Sequence, residues 1–323
     1  MVMLTQKTLL LAKVETSANV DASPSPATDA LLVYQPTFSV KTNFVERQLV
    51  KADLSPYASI PGSKVATVGF TVEVRGAGVA GQAPKWASAL LAACGMVELD
   101  QAAGSQGSNP AEALFLPTSD TAAQPMKTAT LYIYYDGALQ KVTGAMGTWS
   151  LQGQAGSIAK LQFTFTGVYA GTTDVPIPDA AFNFTDPVPP VVQSAVLVYG
   201  TNTDLVVDQF KLDIGNQVQE RTDVNSVQGL KGVRITDRKP TGSFDPEAVP
   251  EADHPFWGDM ASGALNPLTF QVGDTPGNQV VFGAPKCQIT GMAYQDRKGI
   301  RAYTATISPR RVTGNDELSI TFI

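Results

Sequence analysis

The chain has 323 residues, of which 43% are hydrophobic and 16% are charged, and its formal net charge at pH 7 is −6. At roughly 100–200 residues per domain this length suggests two domains, and the acidic balance argues against a general nucleic-acid-binding surface, which would be basic. The 28 glycines and 22 prolines are more than a helical protein tolerates and favour many short strands and turns. No apolar run approaches the ~18 residues of a membrane span, and the apolar run after Lys7 is too short for a secretory signal.

The first part of the chain predicts strands separated by long polar segments. Residues 8–14 and 30–40 are strand-like, whereas residues 41–62 are polar, charged and long. Because structureless loops of that length are uncommon unless they are functional, this segment predicts a projecting hairpin or loop. Residues 65–75 alternate apolar and polar side chains, which is typical of a strand with one buried face.

The clearest helix is predicted over residues 84–94. Proline stands at its start, and Trp86, Leu90 and Leu91 recur at helical spacing along one face. Gly95 follows the last residue, where glycine commonly ends a helix.

The stretch from residue 129 to residue 167 predicts three antiparallel strands joined by turns. Asp136-Gly137 is a hairpin signal between the first two strands. In the third strand, Leu161, Phe163 and Phe165 alternate with Gln162, Thr164 and Thr166. This pattern predicts one core face and one polar face that meets water or another subunit.

A proline-rich segment, residues 181–190, is the predicted linker between a first domain, residues 1–180, and a second domain, residues 191–323. The order of element types is similar on the two sides of this linker, which predicts an ancient duplication. The matched segments are 30–34 with 195–199, 45–47 with 219–221, 64–74 with 231–244, 84–94 with 254–265, 130–135 with 268–272, and 147–167 with 286–308. Two unrelated β domains with generic features in common are the alternative.

One motif resembles a dinucleotide site. Gly76, Gly78 and Gly81 match G-x-G-x-x-G, and Glu98 and Asp100 follow about 20 residues later. The preceding strand alternates, however, whereas a parallel strand buried on both faces is nearly all apolar. The chain also lacks the strand–helix alternation of a doubly wound sheet. We therefore interpret the motif as a flexible glycine loop and predict no cofactor.

Candidate catalytic and metal-binding residues are few. His254 is the single histidine, which excludes any site with two histidine ligands and argues for a surface or capping role at a helix start. An acidic group lacks the spacing of a calcium loop, so it predicts a solvated segment, with weak cation binding as the alternative. Its members are Asp245, Glu247, Glu251, Asp253 and Asp259.

The remaining distinctive side chains have structural interpretations. Cys94 and Cys287 predict two buried free thiols, and a disulfide between them requires that the two domains bring them together. A short basic patch favours an inter-subunit salt bridge over a nucleic-acid site; it comprises Arg297, Arg301, Arg310 and Arg311. Three tyrosines on one strand favour core and interface packing over a stacking platform for sugars or bases; they are Tyr132, Tyr134 and Tyr135.

Three stretches carry a family resemblance. They are T-L-L-L-A-K-V-E-T at residues 8–16, the Pro/Ala/Asp loop at residues 24–29, and Gly144, W-S-L from Trp149, Gly156 and L-Q-F-T-F-T-G at residues 161–167. With them the chain resembles the bacteriophage major tail proteins, the tail tube subunits of long-tailed, non-contractile phages. The resemblance implies a mainly β fold of two tandem antiparallel β-sandwich or partial-barrel domains, each flanked by one short α-helix. The family's usual subunit has one such domain.

The resemblance also implies a function. We expect a structural virion protein, made in the host cytoplasm, that assembles into stacked rings and forms the hollow tube through which phage DNA passes into the host. Its partners would be copies of itself, with a trimeric ring of pseudo-sixfold symmetry favoured over a hexamer, together with the tape-measure protein and tail-end proteins. DNA would pass without specific binding. We expect no enzyme activity, cofactor, metal or membrane contact.

Two groups of residues follow as candidate sites. The ring-to-ring interface candidates are Val45, Glu46, Arg47, Leu49, Asp53, Glu220, Arg221 and Asp223. The lumen-facing candidates are Gln162, Thr164, Thr166, Thr304 and Thr306. The alternatives are a carbohydrate-binding or adhesive β-sandwich module and an enzyme that uses the glycine loop.

Overall fold

The computed structural model describes residues 3–101, 112–178, 187–193, 195–227 and 229–323. Within these ranges the fold is built of antiparallel β-strands and two short helices. This confirms the prediction of a mainly β protein with two flanking helices. Residues 181–186, which form most of the predicted linker, lie outside the described ranges, so the proposed domain boundaries stay a prediction.

The elements before residue 175 form what we call the first half. They are β1 (Thr8–Val14), β2 (Ala30–Leu31), β3 (Tyr34–Val45), β4 (Ile60–Glu73), α1 (Lys85–Ala93), β5 (Met96–Gln101), β6 (Glu112–Pro117), β7 (Ala129–Tyr135), β8 (Ala138–Gln154) and β9 (Lys160–Thr173). The helix predicted over residues 84–94 is confirmed as α1, and Gly95 follows it with φ +72°.

The elements after residue 190 form the second half. They are β10 (Val196–Tyr199), β11 (Val207–Asp213), β12 (Asn216–Thr222), β13 (Leu230–Arg238), β14 (Thr241–Pro246), α2 (Phe256–Ser262), β15 (Asn266–Val272), β16 (Val280–Arg297), β17 (Ile300–Pro309) and β18 (Ser319–Phe322).

Six strands in each half pair in the same order. In the first half the order is β3-β4-β9-β8-β7-β1, and in the second half it is β11-β14-β17-β16-β15-β10. Each half carries its helix after the second strand of this order, and each has a long insertion between its first and second strands.

Two of the segment matches made from the sequence are wrong. Residues 195–199 do not correspond to residues 30–34, because β10 pairs with β15 as β1 pairs with β7. Only part of residues 231–244 corresponds to residues 64–74, because β13 belongs to a separate two-stranded hairpin with β12. In both cases the strand pairing shows which segments correspond, and strand pairing cannot be read directly from the sequence.

The sheet continues from the first half into the second without a break. The carboxyl end of β8 pairs with β11, where Leu151 lies opposite Leu212 and Ser150 opposite Asp213. At another point β6 pairs with the last strand, β18, and Trp86 of α1 meets Phe322 of β18 edge-on, with ring centroids 5.7 Å apart. One hydrophobic cluster therefore contains residues of both halves.

The core follows from the alternation in β4 and β9. Phe163 and Phe165 of β9 are fully buried and stack on Phe70 of β4, with ring centroids 5.8 Å apart in each pair. Burial of each large apolar side chain stabilises the fold by about 1.5–3 kcal/mol relative to its exposure. The alternation predicted for β9, with Leu161 on the same face, is confirmed.

The non-core face of β7 does not meet water, in agreement with the packing predicted for its tyrosines. Tyr132 and Tyr134 lie on the face away from the main core, yet both are buried in a second cluster with Leu9 and Leu11 of β1. Residues 175–177 pack over this cluster and close it from solvent. The returning chain after β9 therefore covers a face that alternation alone would leave open.

Candidate functional site

A polar face runs across the strands of both halves on the side opposite the core. One row of neighbouring residues crosses five strands, and its members are Thr71, Gln162, Ser150, Asp213 and Thr241. The next row crosses six strands, and its members are Glu73, Lys160, Gln152, Lys211, Ser243 and Thr306. No member of either row is apolar, so the two halves share one continuous hydrophilic wall.

All five lumen-facing candidates lie on the non-core side of the sheet. Gln162, Thr164 and Thr306 are exposed, and Thr166 and Thr304 are half-buried. Thr304 donates a hydrogen bond to Gln295 across the β16–β17 pair, at 2.9 Å. The structure thus brings these side chains onto one sheet surface, with hydroxyl and amide groups directed away from the core.

The β12–β13 hairpin covers one end of this face. Leu230 packs on Val65 and Val168, and Val233 and Ile235 pack on Met146. At the base of the hairpin, the side-chain amide of Asn216 donates to the carbonyl oxygens of Cys94 and Gly147, at 2.7 and 2.9 Å. The hairpin that carries the interface candidates Glu220 and Arg221 is therefore largely packed against the first half.

Only the tip of that hairpin is strongly exposed. Val224 and Val227 show 98% and 105% relative exposure. Among the interface candidates, Glu220 and Arg221 are exposed on β12, whereas Asp223 is half-buried and accepts a hydrogen bond from the N–H of Asn225, at 2.9 Å.

The first insertion, residues 46–59, extends from the β3–β4 hairpin. Val45 and Ile60 are paired at its base, and the interface candidates on it are exposed. Two apolar side chains, Val50 and Leu54, have relative exposures of 104% and 103%. Inside the insertion, the ammonium group of Lys51 lies 3.1 Å from Asp53. The predicted projection thus has an exposed apolar surface.

Two long strand edges of the described sheet, one in β3 and one in β16, have no partner strand, and the sequence did not reveal them. The strand β3 pairs only with β4, so its other edge is open. In β16, residues 289–297 pair only with β17, since the pairing with β15 ends at Cys287. Tyr294 and Ile300, apolar residues near the end of that hairpin, are 57% and 52% exposed. Apolar side chains at Tyr294 and Ile300, beside a predicted turn, are the sequence feature that could have indicated this open edge.

The glycine motif packs between the two halves. The N–H of Gly76 donates to the side-chain oxygen of Asn278, and the N–H of Gly78 donates to the carbonyl oxygen of Gly277, both at 2.9 Å. A Cβ atom on Gly76 would lie 2.1 Å from the carbonyl oxygen of Gly277. The motif is thus a close backbone contact rather than a free loop, and two N–H groups that would face a phosphate are already bound.

The acidic segment is engaged within the chain and is not simply solvated. Arg297 lies 3.6 Å from Asp245 and 2.8 Å from Glu247. This arginine of the basic patch therefore forms its ion pairs inside one protomer rather than between subunits. Glu251 accepts a hydrogen bond from the N–H of Gly258 at the first turn of α2, at 2.6 Å. No group of His, Cys, Asp and Glu within the described ranges has the arrangement of a metal site.

The single histidine is neither a surface residue nor a helix cap. His254 is 9% exposed, its Nε2 lies 3.5 Å from Asp204, and its ring packs 5.7 Å from that of Phe256. Pro255 occupies the N-cap position of α2. Close packing of the segment before the helix, rather than capping, therefore determines its position.

Both cysteines are buried and free, as predicted. Burial raises the pKa of the Cys287 thiol to about 12 and raises the pKa of the Cys94 thiol well above its ordinary value. Because the thiolate is the reactive form, neither thiol is a nucleophile near neutral pH.

The prediction that Tyr132 is packed inside the protein is also confirmed. Burial, followed by its hydrogen bond to Asp21, raises the pKa of Tyr132.

The fold and the site define a structural β-sheet protein with one extended polar face. A family model described as "Phage tail tube protein" matches residues 5–320, and the chain therefore belongs to the phage tail tube proteins. It is accordingly a structural protein of the phage virion. No curated protein sequence matches the chain. Of the helices in the described ranges, neither is long and apolar enough to cross a bilayer.

Proposed function

We propose that three copies of this protein close into a ring of pseudo-sixfold symmetry, and that the rings stack into the hollow tube through which phage DNA passes. The observation that carries this proposal is the sheet junction inside one chain. The sheet passes from β8 into β11, and each half has the same six-strand pairing order. Each protomer therefore supplies two similar wall segments, and the halves arose by duplication of one tube domain.

Closure of the ring accounts for the open edges of β3 and β16. An unpaired strand edge is a template for aggregation, and a closed barrel removes it. The junction of the halves is head-to-tail, because the fourth strand of one half pairs with the first strand of the next. Head-to-tail contacts generate a ring when the rotation closes.

The polar face forms the wall of the channel. Most side chains of this face, such as Gln162, Thr164 and Thr306, are uncharged hydroxyl and amide groups. Its two lysines, Lys160 and Lys211, share the face with the carboxylates of Glu73 and Asp213, so the face carries no excess of positive charge. Tight DNA binding requires lysine and arginine contacts that release counterions. A net charge of −6 opposes such binding, so DNA passes without specific contacts.

The two insertions form the contacts between rings. They occupy the same place in the strand order of the two halves, and each presents exposed apolar side chains, Val50 and Leu54 in one and Val224 and Val227 in the other. Exposed apolar patches on a soluble protein commonly mark interaction sites. The tape-measure protein would lie inside the tube, tail-end proteins would bind the terminal rings, and synthesis would occur in the host cytoplasm.

Negative-stain electron microscopy of the purified full-length protein tests the proposal, together with the particle mass in solution. We expect hollow rings of three protomers and stacked tubes at higher concentration. A stable monomer that forms neither rings nor tubes at high concentration would overturn the proposed function, and a ring of six protomers would overturn the trimer.

A further inference from the structure

Resting on the proposed ring, we propose a specific seam between neighbouring protomers. The open edge of β3 pairs with residues 289–297 of β16 in a second copy, and the β16–β17 turn of that copy enters a cleft beside β3. The seam repeats between protomers the contact that β8 and β11 make within one chain. The partner is thus another copy of this chain, and both surfaces of the contact are present on each protomer.

The strands at the seam hold the same places as those at the internal junction. In the pairing order, β3 corresponds to β11 and β16 corresponds to β8. Both β3 and β11 also carry a three-against-two irregularity near their start, between Tyr34 and Thr37 in one case and between Val207 and Phe210 in the other. A shared irregularity at the same end supports the correspondence of the two strands.

Cross-strand neighbours determine the register. The irregularity nearest each hairpin turn sets the count: the first regular pair after it is Met146–Thr166 between β8 and β9 and Gly291–Thr306 between β16 and β17. These two pairs correspond, so Gln152 opposite Lys160 matches Arg297 opposite Ile300. The row through Phe38 contains Val68, Phe165 and Gly147, and the row through Phe210 contains Phe244, Ala305 and Met292. Phe38 therefore corresponds to Phe210.

Transfer of the internal register gives a pair of residues across the seam. Within the chain, Asp213 of β11 lies opposite Ser150 of β8. By the correspondence above, Lys41 takes the place of Asp213, and Gln295 takes the place of Ser150. Lys41 of one protomer should therefore lie opposite Gln295 of its neighbour.

Residues at the two open edges are more exposed than their counterparts at the internal junction, as expected if a neighbouring protomer covers them in the ring. Trp149 of β8 is 1% exposed, because the second half covers it and Phe282 lies 6.4 Å away between ring centroids. Its counterpart in β16, Tyr294, is 57% exposed. Likewise, Leu212 of β11 is 2% exposed and its counterpart in β3, Val40, is 38% exposed. Covering these side chains would be favourable because it removes apolar surface from water.

The cleft supplies a second, independent match. At the internal junction, the turn after β8 binds the chain before β10 and the start of β11: the N–H of Ala155 donates to Asp208 at 2.9 Å, and the N–H of Gly156 donates to Val192 at 3.0 Å. The corresponding segments of the first half, residues 3–6 and residues 34–37, line an open cleft of about 840 Å³ with Tyr135. Ile300, at the end of the β16–β17 turn, is the exposed apolar side chain that fits it.

A pair of cysteines tests the register in the full-length protein. Directly opposite residues have Cβ atoms about 4.5–5.5 Å apart, close to the distance that a disulfide spans. After mild oxidation of the Lys41→Cys/Gln295→Cys variant, most of the protein should run as a covalent trimer on a non-reducing gel. Either single variant should remain monomeric. The shifted pair Asn43→Cys/Gln295→Cys should give little product, and Ser150→Cys/Asp213→Cys should form a bridge within one chain.

The outcomes separate the seam from the proposed function. Rings in the microscope without a covalent trimer would overturn the seam and leave the tube function standing, and preferential reaction of the shifted pair would overturn the register. As a second test, Ile300→Asp should abolish rings without lowering the melting temperature, whereas Val312→Asp, at a similarly exposed position, should not. Normal rings in Ile300→Asp would overturn the role of the cleft.

Discussion

Leu151 of β8 lies opposite Leu212 of β11, and both side chains are buried where the two halves of the chain meet. This apolar pair sits on the core side of the pairing between β8 and β11, the only hydrogen-bonded strand pairing of β8 with the second half in the described sheet order. It therefore couples the stability of the two halves.

We expect Leu212→Ala to lower the free energy of unfolding by about 2–5 kcal/mol, because it removes buried methyl groups and leaves a cavity. Urea unfolding followed by tryptophan fluorescence measures the change. The matched control is Leu265→Ala, at a 47% exposed position, which should change the free energy by less than about 0.5 kcal/mol. An equal effect of both substitutions would contradict the role assigned to the junction.

Glu15 organises the polar contacts around β1. It is 3% exposed, and its carboxylate accepts hydrogen bonds from the hydroxyls of Thr128 and Thr130 and from the N–H groups of Asn19 and Gly144, all within 2.6–2.7 Å. Glu15→Gln turns one acceptor into a donor that faces other donors. We expect a loss of about 1–3 kcal/mol in thermal or urea unfolding. Glu220→Gln, on an exposed strand position, is the control and should be neutral.

The lowered pKa of Asp316 predicts how the stability of the folded protein changes at acid pH. Although burial acts to raise its pKa, hydrogen bonds from the Thr313 hydroxyl and from the N–H groups of Thr313, Val312 and Gly314 hold the pKa of Asp316 below its ordinary value. A lowered pKa in the folded state means that the stabilisation is complete above the unfolded pKa of about 3.9 and is lost as the pH falls through the folded value. Asp316→Asn should therefore lower the melting temperature at neutral pH and flatten its decline in acid.

Asp213 is the control, because its pKa is shifted in the opposite direction to that of Asp316. Burial raises its pKa, and the N–H of Gly215 offsets this only in part. The folded state then favours the protonated acid, so the contribution of Asp213 to stability is lost as the pH rises through its folded pKa. Asp213→Asn should not lower the melting temperature at neutral pH. A parallel decline in both variants would contradict the assignment.

A lysine on the polar face should make the channel bind DNA. Thr164 is exposed in the middle of this face, and a ring of three protomers would carry three copies of the new charge. We expect tubes of Thr164→Lys to retain double-stranded DNA at low salt and to release it as the salt concentration rises, because phosphate contacts release counterions. Val312→Lys, at an exposed loop position away from this face, is the charge-matched control and should behave as wild type.

The first insertion can be shortened without strain on the sheet. Val45 and Ile60 are already paired, so an Asn-Gly turn in place of residues 46–59 closes the β3–β4 hairpin. We expect a folded protein that forms single rings and no tubes, measured by melting temperature and electron microscopy. The milder variant Val50→Asp/Leu54→Asp should shorten the tubes. Tubes of normal length in the deletion variant would contradict the role of the insertion in stacking.

Much of the local structure could be predicted from the sequence. The alternation in β9, the helix α1 before Gly95, the strand-rich composition and the free thiols all agree with the structure. The predictions that failed concern contacts between residues that are far apart in the chain. Gly76, predicted to lie in a flexible loop, packs against Gly277, and Asp245, predicted to be solvated, is bound by Arg297, about 50 positions later in the chain. Neither contact leaves a periodic signal in the sequence.

By itself, therefore, the sequence determined which side of each regular strand is polar, because alternation along a strand is a local property with a period of two residues. It also determined the tail tube resemblance, which residues 161–167 carry most clearly. Only the tertiary structure decided that β8 continues into β11 and that the outer edges of β3 and β16 remain open. Strand partners are chosen by burial and register between segments far apart in the chain, and no local pattern encodes that choice.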